Sequence, residues 1–144
     1  MRTCIFSILL YACESWTLRK QDRDKLLAFE MRCYRRILHI RWQQKITNKE
    51  VRRRARSKRS IIQIVTERKL KFFGHVCRMN SSRLIKQVVF GMVDGTGIQG
   101  RPSREWLDDI KEWCQMEIHA ASMLAQSRCK WRQFVESVVN TYGH

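Results

Sequence analysis

Residues 64–79, I-V-T-E-R-K-L-K-F-F-G-H-V-C-R-M, constrain the fold more than any other stretch of this chain. Ile61, Val65, Phe72, Val76 and Met79 follow one another at a 3.6-residue period, which places them on one face of a helix. Arg68, Lys69 and Lys71 fall on the flanks of that stripe, so the helix is expected to pack a core and still present cations to solvent. Ser60 is its expected cap. Gly74 is the odd residue, because in mid-helix it costs about 1 kcal/mol relative to Ala. It points either to a close helix contact near His75 or to a break there with a short second helix.

The segments on either side also read as helices. Asp22 and Asp24 open one over residues 21–40, where acidic side chains favour the helix dipole. Its apolar stripe is Leu26, Phe29, Cys33, Ile37 and Ile40, with Arg32, Arg35, Arg36 and His39 on the other side. Thr47 or Asn48 can cap a following helix that carries Glu50, Val51 and a run of arginines. Residues 84–90 are too short to separate helix from strand by periodicity. Gly91, Gly95, Gly97 and Gly100 mark a loop closing at Arg101-Pro102. Ser103 is the expected cap of a helix whose Trp106, Ile110 and Trp113 share one face, expected to clamp it near Phe72 and Val76. A last helix over residues 127–140 is expected to bury Trp131, Phe134, Val135 and Val138 and to carry Arg128, Lys130 and Arg132 on a basic edge. The fold class is therefore mainly α, a small bundle of about five to six helices with a Gly-rich loop near residues 91–101.

Charge bears most directly on function. The chain has 29 Lys and Arg against 13 Asp and Glu, a formal net charge of +16. Residues 45–71 hold eleven cations and two Glu, a net of +9, whereas residues 101–118 hold three cations and five acids, a net of −2. Arg52, Arg53, Arg54, Arg56, Lys58 and Arg59 put six cations into eight residues. Such density can follow a phosphate backbone but reads no base sequence by itself. A 44% hydrophobic share with five Trp and six Phe argues against disorder.

Other chemistries find little support. The six cysteines form no C-x-x-C pair, so buried reduced thiols are expected and a finger-type zinc site is not. Gly95, Gly97 and Gly100 match G-x-G-x-x-G literally but lack the surrounding strand-and-helix frame. Asp108 and Asp109 are adjacent on a helix and point about 100° apart, which disfavours a shared metal. The apolar run over residues 4–13 is half a membrane span, read as a buried helix or strand. No cofactor, no metal and no membrane partner are expected.

Residues 69–79, K-L-K-F-F-G-H-V-C-R-M, resemble the R-L-x-W-x-G-H-V-x-R-M block downstream of the reverse transcriptase domain in many non-LTR retrotransposons of the jockey-like and related types. Four other blocks agree in order. Residues 9–16, L-L-Y-A-C-E-S-W, resemble L-L-Y-G-C-E-T-W, and residues 29–38, F-E-M-R-C-Y-R-R-I-L, resemble F-E-M-R-C-L-R-R-I-L. Residues 46–51, I-T-N-K-E-V, are similar to I-T-N-x-E-V, and residues 100–110 to G-R-P-x-x-R-W-x-D-D-I. Ala12 replaces the usual Gly, Ile85 the common Pro, and Glu105 a basic residue.

The resemblance implies a C-terminal fragment of an RNA-directed DNA polymerase, with residues 1–42 as a thumb-like helical segment and residues 43–144 as a basic helical C-terminal region. In such elements the catalytic palm lies upstream, and no Y-x-D-D run is present here. The expectation is therefore a nuclear nucleic-acid-binding protein and not an enzyme. It would grip RNA or DNA phosphates through Arg32, Arg35, Arg36, Arg52, Arg53, Arg54, Arg56, Lys58, Arg59, Arg68, Lys69 and Lys71. The resemblance leaves room for an upstream polymerase domain as a further partner. The alternative is a host-adopted helical interaction module with a basic localisation segment.

Overall fold

Ser60 starts the central helix by a reciprocal cap. Its hydroxyl accepts from the Gln63 N–H at 3.2 Å, and the Gln63 side-chain carbonyl accepts from the Ser60 N–H at 2.8 Å. In the structure, a computed structural model that describes residues 5–91 and 104–141, this helix runs Ile61–Cys77. The α-helical segments are α1 Ser7–Leu9, α2 Lys20–Ile37, α3 Asn48–Arg54, α4 Ile61–Cys77, α5 Leu84–Val89, α6 Trp106–Cys114, α7 Ile118–Gln126 and α8 Arg128–Thr141. No strand occurs among the described residues, so the mainly helical expectation holds. The Gly-rich loop beyond Gly91 and the cap expected at Ser103 lie outside the described residues.

Helix α4 is the hub, packing against α2, α5, α7, α8 and the 3₁₀ turn Cys13–Ser15. One buried cluster runs from Phe6 to Val139, across position 42. Being surrounded, α4 buries far more than one stripe. Ile61, Val65, Leu70, Phe73 and Val76 are fully buried, whereas Phe72 and Met79, expected in the core, are only partly so. What faces solvent is a narrow row containing Arg68, Lys71 and His75.

The helix does not break at Gly74. A Cβ there would overlap the Trp131 indole of α8. The indole Nε1–H instead reaches over the glycine to donate to the Leu70 carbonyl at 2.9 Å. Of the two readings of Gly74, the close helix contact is the one realised.

Helix α2 keeps only part of its expected face, with Leu26, Cys33 and Ile40 partly buried against the core. Its buried residues are Glu30, Met31 and Tyr34, whereas Phe29 and Ile37 of the expected stripe are exposed. The buried polar residues have partners both within α2 and beyond it. The Tyr34 hydroxyl is 3.1 Å from the Glu30 carboxylate and 3.0 Å from the Ser57 hydroxyl, and Arg52 of α3 lies 3.5 Å from Glu30. These polar partners allow a carboxylate to sit inside.

Helix α6 clamps α4 through aromatic rings. Trp106 meets Phe72 edge-on at 6.1 Å and Phe73 at 6.4 Å between centroids, and its indole N–H donates to the Glu14 carbonyl at 2.8 Å. The residue at the cap position is Glu105, whose N–H donates to Asp108 at 2.8 Å. Helix α7 had no counterpart in the sequence reading. The chain leaves α6 at Gln115, a non-glycine residue with φ of 51°, so no glycine announces the stop.

Candidate nucleic-acid interface

The basic helix α3 is capped by Thr47, whose hydroxyl accepts from the Glu50 N–H at 3.4 Å. At its other end Arg56 adopts a φ of 50°, a left-handed turn uncommon for a residue with a Cβ. That turn leaves Arg56 and Lys58 exposed. Arg54 and Arg56 border a cleft of about 250 Å³ lined by Phe6, Tyr34 and Ile37.

The twelve candidate cations do not act alike. Arg53 and Arg54 both hydrogen-bond Glu50, at 2.7 and 2.8 Å, and hold its carboxyl down at about 2. Arg59 and Lys71 share Glu67, the lysine at 2.7 Å. Arg52 serves the buried Glu30, Arg35 donates to the Ile46 carbonyl at 3.0 Å, and Arg68 donates to the Leu10 carbonyl at 2.9 Å. Arg32, Arg36, Arg56 and Lys58 are exposed with no carboxylate partner among the described residues.

Lys69 is the clear correction. Expected on the solvent flank, it is 0% exposed, and its ammonium donates to Asp109 at 2.5 Å and to the Trp16 carbonyl at 2.6 Å. The rings of Trp106 and Trp113 lie 4.8 and 5.5 Å from it, a cation–π setting. Burial pushes this ammonium below the usual lysine range, with Asp109 pulling the other way. No phosphate can reach it without unfolding the site.

Asp109 in turn accepts from the Leu18 N–H at 3.0 Å and from Arg104 at 2.8 Å. Arg104 also pairs with Glu112, which Arg23 of α2 reaches at 2.5 Å. Against the burial that would raise it, these two guanidinium groups hold the Glu112 carboxyl below its ordinary range. The adjacent acids of α6 thus have separate tasks: Asp108 caps the helix and Asp109 anchors the core. Arg23, Arg104 and Glu112 escaped the sequence reading because their spacing along the chain shows no pattern.

Thiols bear out the reading as buried small hydrophobes only in part. Cys13, Cys77 and Cys114 are buried, Cys33 is half-buried and Cys129 is exposed. Burial pushes the Cys114 thiol from 9.0 up to about 12. A raised folded-state value means that its contribution to stability is complete below about pH 9 and is lost as pH rises toward 12. Iodoacetamide at pH 8 should therefore modify Cys129 in the native protein and Cys114 only in denaturant, as read by peptide mass. Rapid native labelling of Cys114 would contradict this packing.

No family model, no curated protein and no solved structure matches the chain.

Proposed function

We propose that this chain binds RNA or DNA without sequence preference through phosphate contacts on a face made by α2, α3 and the turn that follows α3, called the α2–α3 face. The reading extends to its origin: a nuclear chain derived from the region that follows the catalytic palm in non-LTR retrotransposon reverse transcriptases. The observation that carries the binding is the set of four exposed cations, Arg32, Arg36, Arg56 and Lys58, with no acidic partner among the described residues. Arg53 and Arg54 stand beside them as a reserve, since exposed pairs such as theirs with Glu50 are weak and exchange readily for phosphate. The five sequence blocks support the origin, in which the parent polymerase would hold template RNA and chromosomal DNA, and this region would contribute to that grip.

Counterion release supplies the test. Each duplex phosphate neutralised contributes about 0.9 to the slope of log affinity against log salt. Changing Arg32, Arg36, Arg56 and Lys58 to Gln should flatten that slope for duplex DNA by roughly 3–4 units, with the melting temperature little altered. A slope that stays as in the wild type removes this face from consideration. No binding to RNA or DNA even at low salt favours the helical interaction module, for which the exposed Ile8, Tyr11 and Leu84 would be the contact residues.

A further inference from the structure

Lys71, Arg78, Arg128 and Arg132 line a single cleft of about 230 Å³ between α4 and α8, together with Trp131 and Val135. The cleft follows from Gly74. With no Cβ at that position, α8 lies close enough for the Trp131 indole to cross the backbone of α4. Lys71 and Arg78, about one turn before and after Gly74, form one rim, and Arg128, one turn before Trp131, and Arg132, directly after it, form the other.

The chemistry of this cleft is one-sided. Lys71, Arg128 and Arg132 are exposed, whereas Arg78 is half-buried and fixed by donation to the Ala125 carbonyl at 2.6 Å. The nearby acids are Glu67, 2.7 Å from Lys71, and Glu136, one turn beyond Arg132 on α8. Glu136 forms no ion pair among the described residues. Four cations against Glu67, paired with Lys71, and Glu136 leave the cleft a net positive charge that an extended anion would offset. Trp131 is only 3% exposed, so base stacking is closed and phosphate is what the cleft can recognise.

We propose that the α4–α8 cleft is a second phosphate-backbone site for RNA or DNA, with Lys71, Arg128 and Arg132 as the contacting cations and Arg78 as their fixed neighbour. It takes its ligand class from the nucleic-acid reading above but shares no residue with α2 or α3, so each face fails or stands by itself.

The test uses the full chain with Lys71→Gln, Arg128→Gln and Arg132→Gln together. All three residues are exposed, and unchanged far-ultraviolet dichroism and melting establish that the variant folds. Titration of labelled duplex DNA over a range of salt should show the slope flattened by roughly 2–3 units, additively with the α2–α3 variant. A wild-type slope in this triple variant overturns the proposal, whatever the α2–α3 variant does. Flattening here with a wild-type slope in the α2–α3 variant upholds the cleft and removes the other face. Binding of polyglutamate that is lost in the triple variant, with the DNA slope unchanged, would assign the cleft to acidic protein and likewise overturn the proposal.

Discussion

Asp109→Ala is expected to lower the free energy of unfolding by about 3–5 kcal/mol, because it strands a buried ammonium in the core. The loss extends beyond Lys69. Asp109 is 0% exposed and also accepts from the Leu18 N–H and from Arg104, so its removal leaves a buried backbone donor without its acceptor. Lys69→Met should cost less, since Asp109 keeps those two donors. In the double variant Lys69→Met with Asp109→Ala, part of the loss should return, because a neutral pair need not hold an unpaired charge in the interior. Urea unfolding followed by dichroism measures all three. Salt should not rescue the single variants, because a buried pair is screened far less than a surface one. The same variants separate structure from binding: Lys69→Met should alter stability and leave the salt dependence of DNA affinity untouched. An Asp109→Ala protein as stable as the wild type would refute this account of the core.

Lys69 also marks where the sequence stops being legible. The period of Ile61, Val65 and Val76 specifies a helix, and Ser60 with Gln63 specifies its start, both by rules that act within a few residues. Whether a lysine on that helix faces water or a carboxylate forty residues later is decided by tertiary packing. The same holds for Glu30, buried in α2 beside Tyr34 and Arg52, where a pattern of apolar residues alone leaves out the most buried positions. Among the candidate contact cations, exposure of Arg32, Arg36, Arg56 and Lys58 agrees with the sequence reading. Pairing of Arg53 and Arg54 with Glu50 was readable in principle, since Glu50 stands three and four residues before them. The α4–α8 cleft was not, because its two rims come from helices fifty residues apart and their close crossing depends on Gly74.

That meeting makes the second large effect predictable in sign as well as size. Trp131→Ala should destabilise by about 3–5 kcal/mol, the range for removing a buried aromatic side chain, since it also frees the Leu70 carbonyl and withdraws the contacts with Phe73 and Phe134 at 5.6 and 5.5 Å. Gly74→Ala is more informative. Helix propensity alone would make it stabilising by about 1 kcal/mol. The indole edge occupies the space the methyl group needs and is held by its hydrogen bond, so overpacking of about 1–3 kcal/mol should outweigh the propensity gain. In the Trp131→Ala background that obstacle is gone, and Gly74→Ala should turn stabilising. A double-mutant cycle by urea unfolding therefore predicts a change of sign, with a coupling energy in the range seen for contacting residues, about 0.5–3 kcal/mol. Gly74→Ala that stabilises the wild type would mean that α8 can move away from α4 at little cost. The cleft bordered by Lys71, Arg78, Arg128 and Arg132 would then have no fixed shape, and its phosphate contacts would lose their preorganisation along with the helix crossing.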